Sequence, residues 1–426
     1  MIAKEKRPDE VILQSIESAV AVKRKSNVQV PPVTPSVPTG IDSVNPPATD
    51  KVVDSPTIVE TPLIKDKQMT ESVHTSLLKP ANVVTQPAEE KAVSLERTQH
   101  KVAIYGCGGM GVNMAKVLNQ HYAQQAPSKG RAFLETYYVD TSTSNLEGIE
   151  DQDHVYLIPN KDGSGQKRSM NASSINERIK EIVRGFKPAD LNIVISSGSG
   201  GSGSVLAPLI SRELVRSKAP VIIITVGDRS TRKFTENTVG TLKSFEAMTK
   251  GSDARPFVMS YFENKGAQSR KEVDSKIFGV VEALLVLFSG NNEELDSQDL
   301  YHWLNYQEVT DANVQLSNLV VTSGNTPIDE NLYGGPIAVA TMAGSHEVSD
   351  FNGVVDYQCI GILPKEVEAL ADTAMHFVIT DGYFDKVISE LDKELAQIDE
   401  VKNARVSRTS LVDKNTEIDE ETGLVF

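Results

Sequence analysis

Gly106-Cys-Gly-Gly-Met-Gly-Val-Asn113 and Ser196-Ser-Gly-Ser-Gly-Gly-Ser-Gly-Ser204 decide how this chain folds. Each follows an apolar run and precedes an amphipathic one. Val102–Tyr105 reads as a strand entering the first turn. Asn113–Tyr122 reads as a helix leaving it, with Met114, Val117, Leu118 and Tyr122 on one face. Asn192–Ser196 is the strand before the second turn, and a helix carrying Leu206, Leu209, Ile210 and Leu214 follows. Phe133–Val139 (running to Asp140), Val221–Val226 and Phe257–Tyr261 are further strands. Strands and helices alternating at these lengths imply a parallel sheet covered on both faces.

Glu272–Phe288 is a long helix whose Val273, Ile277, Val280, Val281, Leu284, Leu285 and Phe288 form a wide apolar stripe. A buried helix of this length suits the spine between two domains. Beyond it, Val314–Thr322, Pro336–Met342, Val354–Leu363 and Met375–Thr380 read as strands, and Lys365–Asp372 and Tyr383–Ile398 as helices. The expected architecture is α/β. It has a Rossmann-like parallel-sheet domain (101–271), a long central helix (272–289) and a smaller C-terminal α/β domain (290–400).

The flanks differ. Residues 1–100 read as a mostly disordered N-terminal arm. Its VPPVTPSVPTG and NPPATD stretches cannot sustain a helix or a central strand, and its apolar content cannot offset the entropy of ordering. Within the arm, Asp9–Val22 places Ile12, Ile16, Ala19 and Val20 at helical spacing, suiting a short recognition helix or a transient one. Residues 401–426 read as a flexible acidic tail.

The 426 residues carry 43 Lys+Arg against 58 Asp+Glu, a net charge of −15. Such a balance disfavours wrapping nucleic acid by charge, and no nucleic-acid motif is visible. Cys107 and Cys359 are too few for a disulfide framework, so a cytoplasmic setting is expected. No run reaches the roughly 18 apolar residues of a membrane span. The seven histidines are scattered without HExxH or CxxC, so no zinc site is expected.

A Gly-rich strand-to-helix turn can hold a phosphate: bare backbone N–H groups approach it, and the helix N-terminus adds partial positive charge. Gly106, Gly108 and Gly111 match GxGxxG. Two such turns in one sheet can converge on one polyphosphate. Neither contains the lysine of a GxxxxGK[ST] loop. A third feature is Glu293-Glu-Leu-Asp-Ser-Gln-Asp299. Asp296 and Asp299 share a helical face and suit either activation of a water or the acidic first turn of a helix.

These features, in this order, resemble the tubulin/FtsZ family of GTPases, over Lys101 to about Ile398. Gly106, Cys107, Gly108, Gly109, Met110 and Asn113 look like its first phosphate loop, and Asp140 like its second-loop acid. Ser199, Gly200, Gly201, Ser202, Gly203 and Ser204 resemble the family signature, with Ser202 and Ser204 where Thr is usual, followed by the Ala207-Pro208 pair. Asn264 and Asp274 look like the guanine contacts, and Asp296 and Asp299 like the catalytic acids. The departures are Val205 for the closing glycine, Glu294 for the usual Asn, and Arg270 where an aromatic often stacks on the base. Lys161, Lys167 and Arg168 make the third loop basic; Arg229, Arg232 and Glu236 are candidates for the ribose.

The resemblance implies GTP and Mg²⁺ as cofactors and a GTPase that polymerises head-to-tail into filaments, its site shared between adjacent subunits. The divergence and the long arm suit a phage- or plasmid-encoded member, in the host cytoplasm if phage-borne. An adaptor or cargo protein would bind through the arm or the tail. One rival is a tubulin-like structural filament that binds GTP without efficient hydrolysis, suggested by Val205 and Glu294. The other is a dinucleotide-dependent oxidoreductase. That rival needs an acid about 20 residues beyond the first turn, which Asp140 does not satisfy, and leaves the second turn without a role.

Overall fold

Alternate residues of each inner strand enter two different cores, one on each face of a single sheet. The computed structural model describes residues 100–123, 130–159, 161–251, 254–264, 270–365, 370 and 373–406. The arm with its helix over 9–22, most of the helix expected over Lys365–Asp372, and the tail beyond 406 lie outside the described residues. In β1 (Lys101–Cys107), Val102 and Ile104 join the first core, and Ala103 and Tyr105 the second. Helix α1 (Gly108–Ala123) covers the first core with Val112 and Leu118. Then come β2 (Phe133–Asp140), β3 (Val155–Leu157), α2 (Arg168–Gly185), β4 (Leu191–Ser197), α3 (Gly203–Arg216), β5 (Val221–Asp228), α4 (Arg232–Met248) and β6 (Phe257–Asn264). Helices α2, α3 and α4 cover the second core, through Ile175 and Ile179, Leu206 and Ile210, and Leu242 and Phe245.

The long helix α5 (Arg270–Leu287) packs Ile277, Val281 and Leu284 on the first core. Each fully buried side chain of this kind contributes about 1.5–3 kcal/mol. Glu282 of α5 accepts hydrogen bonds from the Tyr122 hydroxyl and pairs with Arg131, which ties the helix to the segment between α1 and β2. Helix α6 (Ser297–Leu304) follows, and then β7 (Leu316–Ser323), β8 (Pro336–Ala343), β9 (Tyr357–Ile362), β10 (Ala374–Thr380) and α7 (Tyr383–Val406).

The strand order is β3-β2-β1-β4-β5-β6-β7-β10-β8-β9. Strands β3 to β7 run parallel; β10 is antiparallel to β7 and β8, and β9 is parallel to β8. The expected C-terminal α/β part is present, and its strands extend the same sheet, because β6 pairs with β7 at Phe257–Met259. The last helix runs eight residues past the expected end at Ile398.

Helices α2 and α4 are not among the elements expected from the sequence. Helix α4 buries Thr235, Asn237, Thr238 and Thr241 beside Val239, Leu242 and Phe245, so its inner face is half polar and its apolar period is short. Helix α2 does carry a period, at Ile175, Ile179 and Ile182, set among many exposed polar residues.

The parallel strands give the molecule two poles. Cys107, Asp140, Ser197, Asp228 and Asn264 end their strands at the carboxyl edge. Helix α5 starts just beyond Asn264 and returns to the amino edge. There the Leu285 carbonyl accepts from Ala132 N at 2.7 Å, just before β2, and Gly290 packs against the His100 ring before β1. At about 3.3 Å per residue, the seven residues of β1 separate the edges by roughly 20 Å.

Gly111 is set by packing: a Cβ there would lie 2.2 Å from the Ile195 carbonyl oxygen of β4. Gly111→Ala is expected to force α1 off the sheet and destabilise the fold by about 1–3 kcal/mol, read as a lower urea midpoint at unchanged slope.

Candidate functional site

The two Gly-rich turns meet at the point where the strand order reverses, between β1 and β4, which in open α/β sheets is where ligands bind. They meet backbone to backbone. A Cβ on Gly108 would lie 2.6 Å from the Gly203 nitrogen, and one on Gly203 would lie 2.6 Å from the Cys107 carbonyl oxygen. Gly108 also has φ +70°, a left-handed conformation that glycine adopts without strain. Helices α1 and α3 begin at Gly108 and Gly203, so two helix N-termini open on one crevice.

Further loops close around it. Asp140, at the end of β2, is buried and accepts from Thr141 N (2.6 Å) and Asn145 Nδ2 (2.7 Å). Burial raises its pKa above the ordinary carboxylate value, and those hydrogen bonds oppose the rise. Asn145 also stands against Gly109. The Thr141 and Ser202 hydroxyls are 2.5 Å apart, and Ser202 Oγ donates to Ser164 Oγ at 3.2 Å. A Cβ on Gly201 would collide with the same Ser164 hydroxyl. From α4, Asn237 Nδ2 donates to the Ser199 carbonyl and Thr241 Oγ1 to the Gly198 carbonyl, each at 2.9 Å.

The predicted side chains do not all face the crevice. Cys107 is fully buried, with its thiol toward the Tyr105 carbonyl (3.5 Å) and its pKa raised by burial. Met110 packs against the first core. What either residue offers a ligand is its backbone. Ser204 Oγ donates to Gly201 O (3.0 Å) inside the turn. Asn113 is exposed on α1. Asn264 ends β6 with Nδ2 3.4 Å from Asp228 Oδ2, and Asp274 is exposed near the start of α5. Ahead of Val205, α3 already begins at Gly203, and Val205 itself is buried in the second core.

Arg168 does not reach out as a free basic group. Its Nη2 donates to the Ser204 carbonyl (3.3 Å) and to Ser244 Oγ (2.9 Å). Pro208 explains the first bond: it has no N–H for the carbonyl four residues back, and that carbonyl belongs to Ser204. The ribose candidates Arg229 and Arg232 are engaged with α7. Arg229 pairs with Glu263 and Glu394, and Arg232 with Asp399.

Asp296 and Asp299 follow Gly290, which stands against His100 at the amino edge of β1. Asp296 caps α6, accepting from Gln298 N (2.7 Å) and Asp299 N (2.9 Å), and Asp299 Oδ2 accepts from Asp296 N (3.1 Å). This is a reciprocal capping box. Glu294, where the resemblance expects Asn, has φ +76°, a conformation Asn tolerates better than Glu. Among the described residues, no group of three His, Cys, Asp or Glu side chains is placed to hold a metal by itself, and no helix is long and apolar enough to cross a membrane.

The pattern described as the Tubulin/FtsZ family GTPase domain matches residues 101–265, and the phage tubulin-like C-terminal domain matches residues 295–381. The chain carries a tubulin/FtsZ family GTPase domain followed by a phage tubulin-like C-terminal domain. A phage tubulin-like protein of Pseudomonas phage phiKZ is 25% identical over 338 residues, covering 76% of this chain and 98% of the relative. One from Pseudomonas phage PhiPA3 is 23% identical over 314 residues, covering 74% and 95%. A solved protofilament of TubZ from bacteriophage PhiKZ superposes with a TM-score of 0.65 at 25% identity, covering 76% of this chain and 99% of that one. The phage tubulin PhuZ with GDP gives a TM-score of 0.66 at 23% identity, over 76% and 99%, a likeness of fold.

Several residues that shape the site of this tubulin-like chain escape sequence reading: Thr141, Asn145, Ser164, Asn237 and Thr241. Gly163-Ser-Gly165 is a third Gly-rich turn and was the available signal for Ser164. The Arg168–Pro208 relation predicts a non-additive pair. Arg168→Ala leaves the Ser204 carbonyl without its donor and is expected to cost about 1–3 kcal/mol. In the Pro208→Ala background, which restores the N–H, the same change should cost clearly less in a denaturation double-mutant cycle.

Proposed function

We propose that this chain is a GTPase that polymerises head-to-tail into filaments, hydrolysing GTP at a site completed by the adjacent subunit. The observation that carries this reading is the separation of the poles. The loops that suit a polyphosphate lie at the carboxyl edge of the sheet, whereas the chain leading from α5 to Asp296 and Asp299 touches the amino edge of β1 and β2, at Ala132 and His100, with the two ends of β1 about 20 Å apart. One subunit cannot bring its own carboxylates to its own nucleotide; stacking carboxyl edge on amino edge does. A contact of this head-to-tail kind that does not close into a ring propagates as a filament.

In the division of labour we propose, residues 101–271 bind the nucleotide, 272–289 span to the far pole, and 290–400 present the acids. The backbone of Gly106, Cys107, Gly108, Gly109 and Met110, with Asn113 in the second turn of α1, and of Ser199 to Ser204, takes the phosphates; Asn264 and Asp274 take the base. The gathered oxygens of Asp140, Thr141 and Ser202 are hard donors of the type Mg²⁺ accepts, so the ion would sit there with the phosphates and supply positive charge. Asp296 and Asp299 of the next subunit orient the water that attacks the terminal phosphorus. Backbone N–H groups stabilise the charge of the transferring phosphoryl group. Loss of that group weakens the contact. We further propose a phage-borne protein acting in host cytoplasm, with residues 1–99 and the segment beyond 406 engaging an adaptor or cargo; its likeness to phage proteins supports the source.

One observation favours a filament with weak hydrolysis instead: both acids are engaged in capping α6. Substitution separates the two readings. Asp296→Asn keeps a capping side chain, whereas Asp296→Ala loses about 1 kcal/mol of cap. If the acids are catalytic, Asp296→Asn and Asp299→Asn each lower phosphate release by roughly 10²-fold or more, with GTP binding and light-scattering assembly retained. Unchanged release in both variants rejects the catalytic assignment. In the unmodified protein, specific activity is expected to rise above a threshold protein concentration; a flat, measurable rate contradicts the shared site. A chain lacking residues 1–99 should keep its GTPase activity, and loss of it would refute the arm as a mere handle.

A further inference from the structure

Helix α4 turns a polar stripe inward, and one residue on it touches both the signature turn and the third loop, beside their direct Ser202–Ser164 contact. Asn237 is 2% exposed. Its Nδ2 lies 2.9 Å from the Ser199 carbonyl of the signature turn and 2.9 Å from the Gln166 carbonyl of the third loop, with the Gly200 carbonyl at 3.4 Å. An amide nitrogen carries two hydrogens, and the two short contacts use both. The two loops press together there: a Cβ on Gly201 would lie 3.0 Å from the Gln166 Cα, and Gln166 holds a left-handed φ of +61°. A non-glycine residue in that conformation persists only where its surroundings hold it.

We infer that Asn237 is a positioning residue for the nucleotide site, clamping the third loop to the signature turn so that both present one rigid wall to the phosphates. The inference rests on the nucleotide-binding reading above. Asn237 is not a catalytic residue: it acts through the carbonyls of Ser199 and Gln166, whose peptides carry the N–H groups of the wall. It belongs wholly to the subunit that binds the nucleotide and lies on α4, whereas Asp296 and Asp299 begin α6. Its loss therefore loosens the cradle and leaves the neighbour's acids unaltered.

Asn237→Asp tests this with little change of shape. It replaces the donor by a carboxylate oxygen facing the same carbonyls, so the clamp turns repulsive. Three quantities are read for the full chain: the GDP dissociation constant below the assembly threshold, KM and kcat for GTP above it, and apoprotein melting. The expected result is a GDP constant and a KM weakened at least tenfold, with kcat at saturation within about threefold of the unmodified protein. Equal affinity in the variant overturns the inference, as does a parallel loss of kcat with KM unchanged, the signature of a merely structural residue. If the Asp variant does not fold, Asn237→Ala is measured in the same way and decides. Failure of the unmodified protein to bind GDP or GTP refutes the nucleotide reading itself, and the inference falls with it. Normal binding by the unmodified protein and by the variant refutes the inference alone.

Discussion

The structure depends on a close approach of backbones that side chains would forbid. Gly108 and Gly203 touch across the gap between β1 and β4, and Gly111 sits on the Ile195 carbonyl. A single methyl at any of these positions meets backbone, not a side chain that could turn aside. Because the approach is made without Cβ atoms, two helix N-termini converge on one crevice with their N–H groups bare. The packing requirement and the ligand requirement thus fall on the same glycines, and the switch in strand order supplies the opening.

The second constraint is direction. Parallel strands place every strand-to-helix turn at one edge, so the phosphate loops have no choice of pole. Helix α5 then carries the chain back to the amino edge of β1 and β2, where Leu285 meets Ala132 and Gly290 meets His100, and α6 with its acids begins beyond it. Asp296 and Asp299 satisfy the first N–H groups of α6 whether or not a neighbour is present, which keeps the loop in order in the free subunit. In the filament proposed above, chemistry and assembly are joined: the acids proposed to complete the site come from a stacked neighbour.

Around the crevice the protein interior is polar, and its polarity is hydrogen-bonded across long stretches of sequence. Arg168 answers the carbonyl that Pro208 leaves open. Thr241 and Asn237 answer the carbonyls of the signature turn, and the hydroxyls of Thr141, Ser202 and Ser164 form a chain between three loops. Buried polar groups left unpaired are costly, so such a network holds its loops in one arrangement. It also blurs its elements to pattern reading, since Thr235, Asn237, Thr238 and Thr241 interrupt the apolar stripe of α4.

Taken alone, the amino-acid sequence determined the alternation of strands and helices, the central helix, the two Gly-rich turns and the acidic loop, because each is a local pattern of periodicity or glycine spacing. It also placed the candidate phosphate, base and acidic residues in their order along the chain. Only the tertiary structure decided that β7 to β10 extend the same sheet, that Arg168, Arg229 and Arg232 are held by partners within the chain, and that the acids follow the end of α5 at the amino edge of β1. Asn237 shows why: its partners are 38 and 71 residues away, and a hydrogen bond between such positions has no periodicity to read. Which groups meet is set by how the sheet stacks its segments.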